Sequence, residues 1–257
     1  MSNILVAKNY KISDHSKWWD DKTDSSEQLE TDYARMEELL IESAQKYIKD
    51  LDEVKVFRGE ADNIRDVFKT NFYEIYELWK EGHNILYVDL DVIFIKGVDY
   101  FWDTKYFKMY NFTQPVSTTD DHYDIKFDKY FNCGVRYYPQ DMSQDVWDLG
   151  LKMVENWNPN RWDSEQIIYN AMLWSQDVAF EKLYDPRLAY QFLFYDESSH
   201  MSLSDCMQMN KEFNRVGLQD VGTVHVHGSR ESDSRVRLME LLSKGEFVYQ
   251  KDEVLYL

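Results

Sequence analysis

The sequence predicts an α/β protein whose central sheet is mostly parallel and is flanked by helices. Short apolar runs alternate with segments whose apolar residues recur at helical spacing. Only four of the 257 residues are prolines, and no linker rich in proline or glycine interrupts the pattern. Strands that alternate with helices form βαβ units, which make the strands parallel. We therefore expect one domain over residues 1–257, with a first half at 1–98 and a second half at 99–257.

The first half of the sequence contains three predicted strands and two predicted helices. Apolar runs at 4–7, 54–57 and 85–94 are typical of buried strands. Between them, apolar residues recur at helical spacing over 26–49 and 64–79. This order of strand, helix, strand, helix and strand is the arrangement expected of a parallel sheet.

The second half has a less regular pattern, and its C-terminal part is expected to be mixed. Its predicted elements are strands at 106–112, 130–138, 190–195 and 221–226, and helices at 143–157, 163–174 and 234–242.

Composition limits the classes of function. The formal net charge of −18 disfavours binding to nucleic acid or to an anionic membrane, whereas it can attract divalent cations. The two cysteines, Cys133 and Cys206, show no disulfide spacing, so a reducing compartment is expected. The first 16 residues contain no apolar stretch long enough for a signal sequence, and no run approaches the roughly 20 apolar residues of a membrane span. We expect a cytoplasmic protein without a membrane span.

Two carboxylates interrupt the apolar run ILYVDLDVIF at 85–94. Burying ionised Asp89 and Asp91 there is costly unless a cation or another partner compensates them. The same tripeptide, DLD, occurs at 50–52 between charged neighbours, where a solvated polar turn is expected. Ligands of α/β sheets bind beyond the carboxyl ends of strands, and side chains two residues apart in a strand point the same way. The pair at 89 and 91 therefore either shares a divalent cation or pairs with basic side chains and helix caps.

A second polar cluster lies near the C-terminus, in GTVHVHGSR at 222–230. His225 and His227 alternate along a predicted short strand, and Arg230 follows them. Neutral imidazole is a good metal ligand, and arginine can bind a phosphate through two parallel hydrogen bonds. Together with the two aspartates, this cluster favours a divalent metal site that faces a phosphorylated ligand.

Four segments in this order resemble the metal-dependent, nucleotide-sugar glycosyltransferases of the GT-A fold. ILYVDLDVIF resembles the strand that ends in that family's DxD motif, and YFNCGV at 130–135 resembles its FNxGV strand. WDSEQIIYN at 162–170 resembles its acidic-Gln helix. HVHG at 225–228 resembles the HxxG that supplies a metal ligand in glycogenin-like and procollagen-glycosyltransferase-like enzymes. The resemblance covers most of 85–230 and departs at Glu231, where related enzymes often carry lysine.

The resemblance implies a metal and a donor substrate. Asp91 and His225 would bind Mn²⁺ or Mg²⁺ directly, with His227 as the alternative to His225, and Asp89 would reach the metal, the ribose or both. The metal would bridge the diphosphate of a nucleotide sugar, usually a UDP-sugar in this family, and would stabilise the departing nucleoside diphosphate as a Lewis acid. We therefore predict a hexosyl- or pentosyltransferase that acts on an acceptor hydroxyl.

The same resemblance implies further contacts with the donor. Gly228 and Arg230 would lie beside its phosphates, although a surface salt bridge is the alternative for Arg230. Lys69, in the helix before the DxD strand, would contact the diphosphate or the sugar, or would be a solvated helix lysine. Tyr10, just after the first strand, would stack on the nucleobase, or would pack as an ordinary tyrosine.

Asp163 and Glu165, which open the acidic-Gln helix, are the candidate catalytic residues. Asp163 is expected chiefly to cap the helix, with Gln166 completing a capping box. Glu165 would be the general base of an inverting mechanism, or would orient the sugar or acceptor in a retaining one. Asn132 and Gly134 would line the sugar and acceptor side, where glycine permits a close approach.

Two other classes of protein remain open at this point. A phosphatase of the haloacid dehalogenase type also places DxD after an apolar strand, but Ile93 stands where those enzymes usually carry Thr or Val. A non-catalytic protein that binds nucleotide sugars is the second alternative. For a transferase, the expected acceptor is a glycan, a protein or a small molecule, because the net charge disfavours a nucleic-acid acceptor.

Overall fold

The structure is a computed structural model of the chain. It describes residues 1–12, 26–97, 102, 104–114, 118–120, 122–127, 129–158, 164–184, 190–193, 222–227 and 232–245.

Strands and helices alternate along the first half of the chain and mix in the second, as the sequence predicts. The strands are β1 (Asn3–Ile12), β2 (Glu53–Ala61), β3 (Asn84–Val88), β4 (Val92–Phe94), β5 (Lys108–Gln114), β6 (Thr118–Asp120), β7 (Ile125–Phe127), β8 (Tyr130–Tyr138), β9 (Tyr190–Leu193) and β10 (Thr223–His227). The helices are α1 (Ser26–Tyr47), α2 (Ile64–Lys80), α3 (Gln144–Glu155), α4 (Ser164–Trp174) and α5 (Ser232–Lys244), with a 3₁₀ turn at Phe180–Lys182.

The main sheet has the strand order β2-β1-β3-β8-β5 within the described ranges. Strand β1 runs parallel to both β2 and β3, whereas β8 runs antiparallel to both of its neighbours, β3 and β5. Four of these five strands therefore point in one direction. The predicted fold class, an α/β protein with a mostly parallel central sheet, is confirmed.

Alternating side chains of the main sheet face two different sets of helices. On β1, Ile4 and Val6 lie in a core cluster with residues of α2, α3 and α4, whereas Leu5 and Ala7 lie in a cluster with residues of α1. Successive residues of a strand point to opposite faces, and helices on both faces make each strand apolar throughout. The uninterrupted apolar runs in the sequence have this origin.

A second sheet joins the C-terminal part of the chain to the first half. Strand β4 pairs antiparallel with β10, which pairs parallel with β9. Ile93, Val224 and Val226 pack in a third core cluster against residues of α1 and α5, including Met36 and Leu238. This sheet therefore holds the C-terminal histidine segment beside the chain that leaves β3.

The predicted third strand, 85–94, is wrong in one respect. The chain leaves the main sheet after Val88 and enters the second sheet at Val92, so that the residues between them form a turn.

No helix in the part of the chain that the structure describes is long and apolar enough to cross a membrane.

Helix α4 is fixed to β8 by an amide that is completely buried. The Asn170 side chain accepts a hydrogen bond from the Phe131 N–H at 2.8 Å and donates one to the Phe131 carbonyl at 2.8 Å. It also donates to the Gln166 carbonyl at 2.8 Å. The amide therefore sets the position of the helix that carries Glu165 relative to the strand that carries Asn132 and Gly134.

Asn170→Ala is expected to lower the free energy of unfolding by about 2–4 kcal/mol, because the buried N–H and C=O of Phe131 lose their hydrogen bonds to the Asn170 amide. Denaturation in guanidinium, followed by circular dichroism, measures this loss. Asn156→Ala is the matched control, since that amide is exposed and donates to the Lys152 carbonyl within its own helix turn. A loss for Asn170→Ala no larger than that of the control would contradict the role of this amide.

Candidate metal centre

The turn between β3 and β4 presents Asp89 and Asp91 on the same side. The Asp89 N–H donates to the Gly134 carbonyl at 2.8 Å, and the Asp89 carbonyl accepts from the Val92 N–H at 3.2 Å. The Asp91 carbonyl accepts from the Val226 N–H of β10 at 2.8 Å. The two carboxylates therefore converge because the chain turns between the two sheets, and not because they alternate along one strand.

His225 on β10 completes a group of three possible metal ligands. Strand β10 pairs His225 with Val92, one residue beyond Asp91. One ligand atom from each of Asp89, Asp91 and His225 lies within 4.8 Å of the other two. The His225 Nε2 lies 3.1 Å from Asp91 Oδ1. The prediction that these three side chains come together is confirmed.

The electrostatics of His225 follow from its burial and from the two carboxylates. Only 3% of its surface is exposed, and burial lowers its pKa, but the charges of Asp91 and Asp89 and the hydrogen bond to Asp91 outweigh burial and raise the pKa overall. Binding of a divalent cation to this imidazole would therefore compete with its protonation. Two carboxylates and an imidazole form a donor set that suits Mg²⁺ and Mn²⁺.

Tyr87 holds the first aspartate in place. Its hydroxyl donates to Asp89 Oδ1 at 2.8 Å, and its ring is completely buried in β3. Burial and the nearby Asp89 charge raise the pKa of Tyr87, so the phenol keeps its proton and remains a donor. This leaves Asp89 Oδ2 as the oxygen that faces Gly134 and His225.

Gly134 on β8 lies directly beside two of the candidate ligands, Asp89 and His225. A Cβ atom added there would lie 2.8 Å from Asp89 Oδ2 and 2.9 Å from Asn132 Oδ1, and would clash with His225 Cε1. Asn132 Oδ1 accepts from the Gly134 N–H at 2.7 Å. Asp89 and His225 thus meet over a position that admits no side chain. Asp91 lies close to both, so the residues present fit a bound metal ion.

Arg235 of α5 is a member of this centre that the sequence analysis does not identify. Its Nη1 lies 3.1 Å from Asp91 Oδ2, so Asp91 faces His225 through one oxygen and Arg235 through the other. Arg235 precedes the buried Leu238 by three residues, which places both on the inward side of the helix. That spacing is the signal that distinguishes it from the exposed Arg237.

Glu165 lies next to two cations rather than in open solvent. The carboxylate is buried, and its Oε1 is 3.3 Å from Lys8 Nζ and 3.7 Å from Arg136 Nη1. The Arg136 guanidinium lies between two rings, with its Cζ 3.9 Å from the ring centre of Tyr87 and 3.7 Å from that of Tyr169. Neither Lys8 nor Arg136 is identified by the sequence analysis.

Arg136 connects the two parts of the site. It is fully buried, its Nε donates to the Tyr138 hydroxyl at 2.9 Å, and its Nη1 donates to the Cys133 carbonyl at 2.5 Å. Tyr87 contacts Arg136 with its ring and Asp89 with its hydroxyl. The metal ligands and Glu165 therefore belong to one continuous cluster of buried polar groups.

Two predicted donor contacts, Tyr10 and Lys69, contact other side chains in the structure. The Tyr10 hydroxyl donates to the carboxylate of Glu74 at 2.7 Å, and its ring packs against Gly59. Burial raises the pKa of Glu74. The Lys69 Nζ lies 5.6 Å from the ring centre of Trp157. The roles of Tyr10 and Lys69 towards a nucleotide sugar stay predictions.

Four candidate positions fall wholly or partly outside the described residues. Asp163, Gly228 and Arg230 are not described, and for His227 the structure describes the strand backbone but not the side chain. Their proposed roles stay predictions.

The second DLD sequence is a polar turn, as predicted. The Asp52 carboxylate accepts from the Asn3 N–H at 2.8 Å, and the Asp50 carbonyl accepts from the Asn3 side chain at 2.8 Å. Asp50 itself has a φ of 57°, in the left-handed region. The tripeptide alone therefore does not make a candidate metal site. At 89–91 the position after β3 and the approach of β10 bring the aspartates to His225.

Comparison with known proteins identifies the fold. No protein-family model matches the sequence, and no curated protein matches it. Among solved structures, the apo structure of the WbbM bifunctional glycosyltransferase superposes with a TM-score of 0.55 and 10% identity. A glycosyltransferase involved in the glycosylation of the major capsid of PBCV-1 matches with a TM-score of 0.46 and 12% identity.

The extent of these matches differs for the two neighbours. Each covers 93% of this chain, which spans 99% of the PBCV-1 protein but only 49% of WbbM. The superposition on WbbM shows that this chain has a fold that occurs in glycosyltransferases.

Proposed function

We propose that this protein is a metal-dependent glycosyltransferase that moves a sugar from a nucleotide-diphosphate sugar to an acceptor hydroxyl. The observation that carries the proposal is the convergence of Asp89, Asp91 and His225 beside the carboxyl end of β3. Ligands of open α/β sheets bind at such strand ends. The WbbM likeness supports the reaction class, because the shared fold occurs in a glycosyltransferase.

Finer features of the proposal come from the sequence motifs. The DxD, FNxGV and HxxG resemblances favour the glycogenin-like and procollagen-glycosyltransferase-like group, with a UDP-sugar as donor and a hexose or pentose as the transferred sugar. A glycan, a protein or a small molecule would be the acceptor.

The metal would be held by Asp89, Asp91 and His225. When bound, Mn²⁺ or Mg²⁺ would supply Lewis-acid stabilisation of the charge on the departing nucleoside diphosphate. Tyr87 and Gly134 prepare the ligands for this role: the tyrosine fixes one oxygen of Asp89, and the glycine leaves space where Asp89 and His225 meet. Such fixed orientation of ligands by their neighbours raises metal affinity.

Glu165 would act on the sugar or the acceptor. Both neighbouring cations, Lys8 and Arg136, lie beside Oε1, so Oε2 is the oxygen assigned to a substrate hydroxyl. In an inverting reaction it would take the proton of the acceptor hydroxyl, and in a retaining reaction it would orient the sugar or acceptor. Asp163 would act as the N-cap of α4. Asn132 would line the side of the site that holds the sugar and the acceptor.

The experiment that tests the function is a donor-hydrolysis screen. Nucleotide sugars that differ in base and sugar are incubated with the protein, with Mn²⁺, with Mg²⁺ or with a chelator, and release of the nucleoside diphosphate is measured. Metal-dependent turnover of a UDP-sugar, together with thermal stabilisation by UDP plus Mn²⁺, is the expected result. Donor turnover that continues in the chelator would contradict the metal site, and hydrolysis of a phosphomonoester alone would indicate a phosphatase.

A further inference from the structure

Asp91 lies between two cationic or potentially cationic partners. Its Oδ1 faces His225 Nε2 and its Oδ2 faces Arg235 Nη1, each at 3.1 Å. The Asp91 and Arg235 side chains are 15% and 16% exposed, so water screens their attraction less than it would at an open surface. A metal ion that coordinates Asp91 would therefore arrive beside a guanidinium that already contacts the same carboxylate.

A divalent cation bound to Asp91 and the Arg235 guanidinium would repel each other. Like charges a few ångströms apart repel strongly at the effective dielectric constant of a partly buried site. The metal and the guanidinium would also compete for the negative charge of the Asp91 carboxylate. A diphosphate beside the metal changes this balance, since phosphate oxygens form strong bidentate hydrogen bonds with arginine.

We propose that Arg235 exchanges partners at this site, pairing with Asp91 before the metal arrives and with the donor diphosphate when metal and nucleotide are both bound. This inference rests on the proposed function. It makes Arg235 a coupling residue: it weakens the binding of metal alone and strengthens the binding of nucleotide to the metal-loaded protein. The donor and the metal would then bind cooperatively, and the cooperativity would be reciprocal.

Helix α5 does not depend on Arg235 for its attachment. The Ser232 hydroxyl donates to Asp32 Oδ2 at 2.6 Å, and Arg35 Nε lies 2.9 Å from Glu240 Oε1, so polar contacts join α5 to α1 at both ends. In addition, Leu238, Met239 and Leu242 of α5 are buried in the third core cluster. Removing the Arg235 charge should therefore change the site more than the fold.

The test uses Arg235→Gln and Arg235→Lys in the full chain, with Arg237→Gln as the matched control. Arg237 is exposed on the same helix, so its replacement makes the same change in net charge away from the site. Titration calorimetry measures Mn²⁺ binding alone, and UDP binding at saturating Mn²⁺, with every variant in the same buffer and at the same pH. Circular dichroism and thermal melting verify that each variant is folded.

The expected effects of Arg235→Gln have opposite signs. Mn²⁺ alone should bind about tenfold more tightly, because a repelling charge is gone, while UDP should bind to the metal-loaded protein about tenfold more weakly. Arg235→Lys should keep the charge but lose the bidentate geometry. Its Mn²⁺ affinity should therefore be as low as that of the wild type, and its UDP affinity should lie between those of the wild type and Arg235→Gln. Arg237→Gln should match the wild type in both titrations.

The outcomes separate this inference from the proposed function. A wild-type protein that binds neither Mn²⁺ nor UDP would overturn the proposed function and this inference with it. A wild type that binds both, with Arg235→Gln weaker in both titrations or unchanged in both, would overturn the inference alone. Weakening of both would assign Arg235 to holding Asp91 in position, and no change in either would exclude it from the site.

Discussion

Asp91→Asn is expected to abolish metal-dependent donor turnover. The substitution keeps the size of the side chain and leaves the Asp91 backbone carbonyl bonded to the Val226 N–H, so the turn and β10 stay in place. It removes the carboxylate charge from between His225 and Arg235. Mn²⁺ affinity should fall by about 100-fold or more, and donor hydrolysis by about 1000-fold, because an anionic ligand is lost from the metal.

The chain contains a matched control for this prediction in its second DLD sequence. Asp52→Asn changes the same residue type in the same tripeptide, but its carboxylate accepts from the Asn3 N–H at the start of β1. Mn²⁺ titration and donor hydrolysis should match the wild type for Asp52→Asn. Wild-type Mn²⁺ affinity in a folded Asp91→Asn protein would remove Asp91 from the metal centre.

Much of the fold could be predicted because helices cover both faces of the main sheet. Strands buried on both faces are apolar throughout, and β3 has no exposed residue among Ile85, Leu86, Tyr87 and Val88. Such uninterrupted apolar runs are easily distinguished from the helical segments between them, whose apolar residues recur every three or four positions. The three candidate metal ligands could be recognised for a related reason, since carboxylates and imidazoles are conspicuous at the ends of short apolar strands.

The break after β3 could not be predicted from the same pattern. Val92, Ile93 and Phe94 are all completely buried, so their composition continues the apolar run although they belong to another sheet. An apolar run in the sequence predicts that its residues are buried, but it does not predict the strand with which they pair. The pairing of β4 with β10 shows that the chain changes sheets at this turn.

The buried cations were missed for a different physical reason. Arg136 lies within the strand YFNCGVRYY, where nothing in the local sequence shows that its partners will be Tyr87, Tyr169 and Glu165. Those partners are distant in sequence and meet only when β3, β8 and α4 assemble. A fully buried guanidinium needs such compensation, so the long-range contacts determine its role.

Gly134→Ala is expected to disable the metal centre while leaving the protein folded. The new Cβ would lie 2.8 Å from Asp89 Oδ2 and would clash with the His225 ring. The backbone has little freedom to retreat, because the Gly134 carbonyl accepts from the Asp89 N–H and β8 is paired on both sides, with β3 and β5. The ligands must therefore move apart, and Mn²⁺ affinity should fall by about 100-fold, in line with losses seen when metal ligands are misoriented.

Titration of Mn²⁺ and chemical denaturation together test this expectation. Overpacking one methyl group should lower the free energy of unfolding by about 1–3 kcal/mol, which a folded α/β domain can tolerate. Gly97→Ala is the control, since a Cβ there meets nothing within 4 Å and should change neither quantity. If Gly134→Ala bound Mn²⁺ as tightly as Gly97→Ala, the metal would have to lie away from the point where Asp89 and His225 meet. The site would then have to be placed on other residues, because this methyl group occupies the space that those two ligands share.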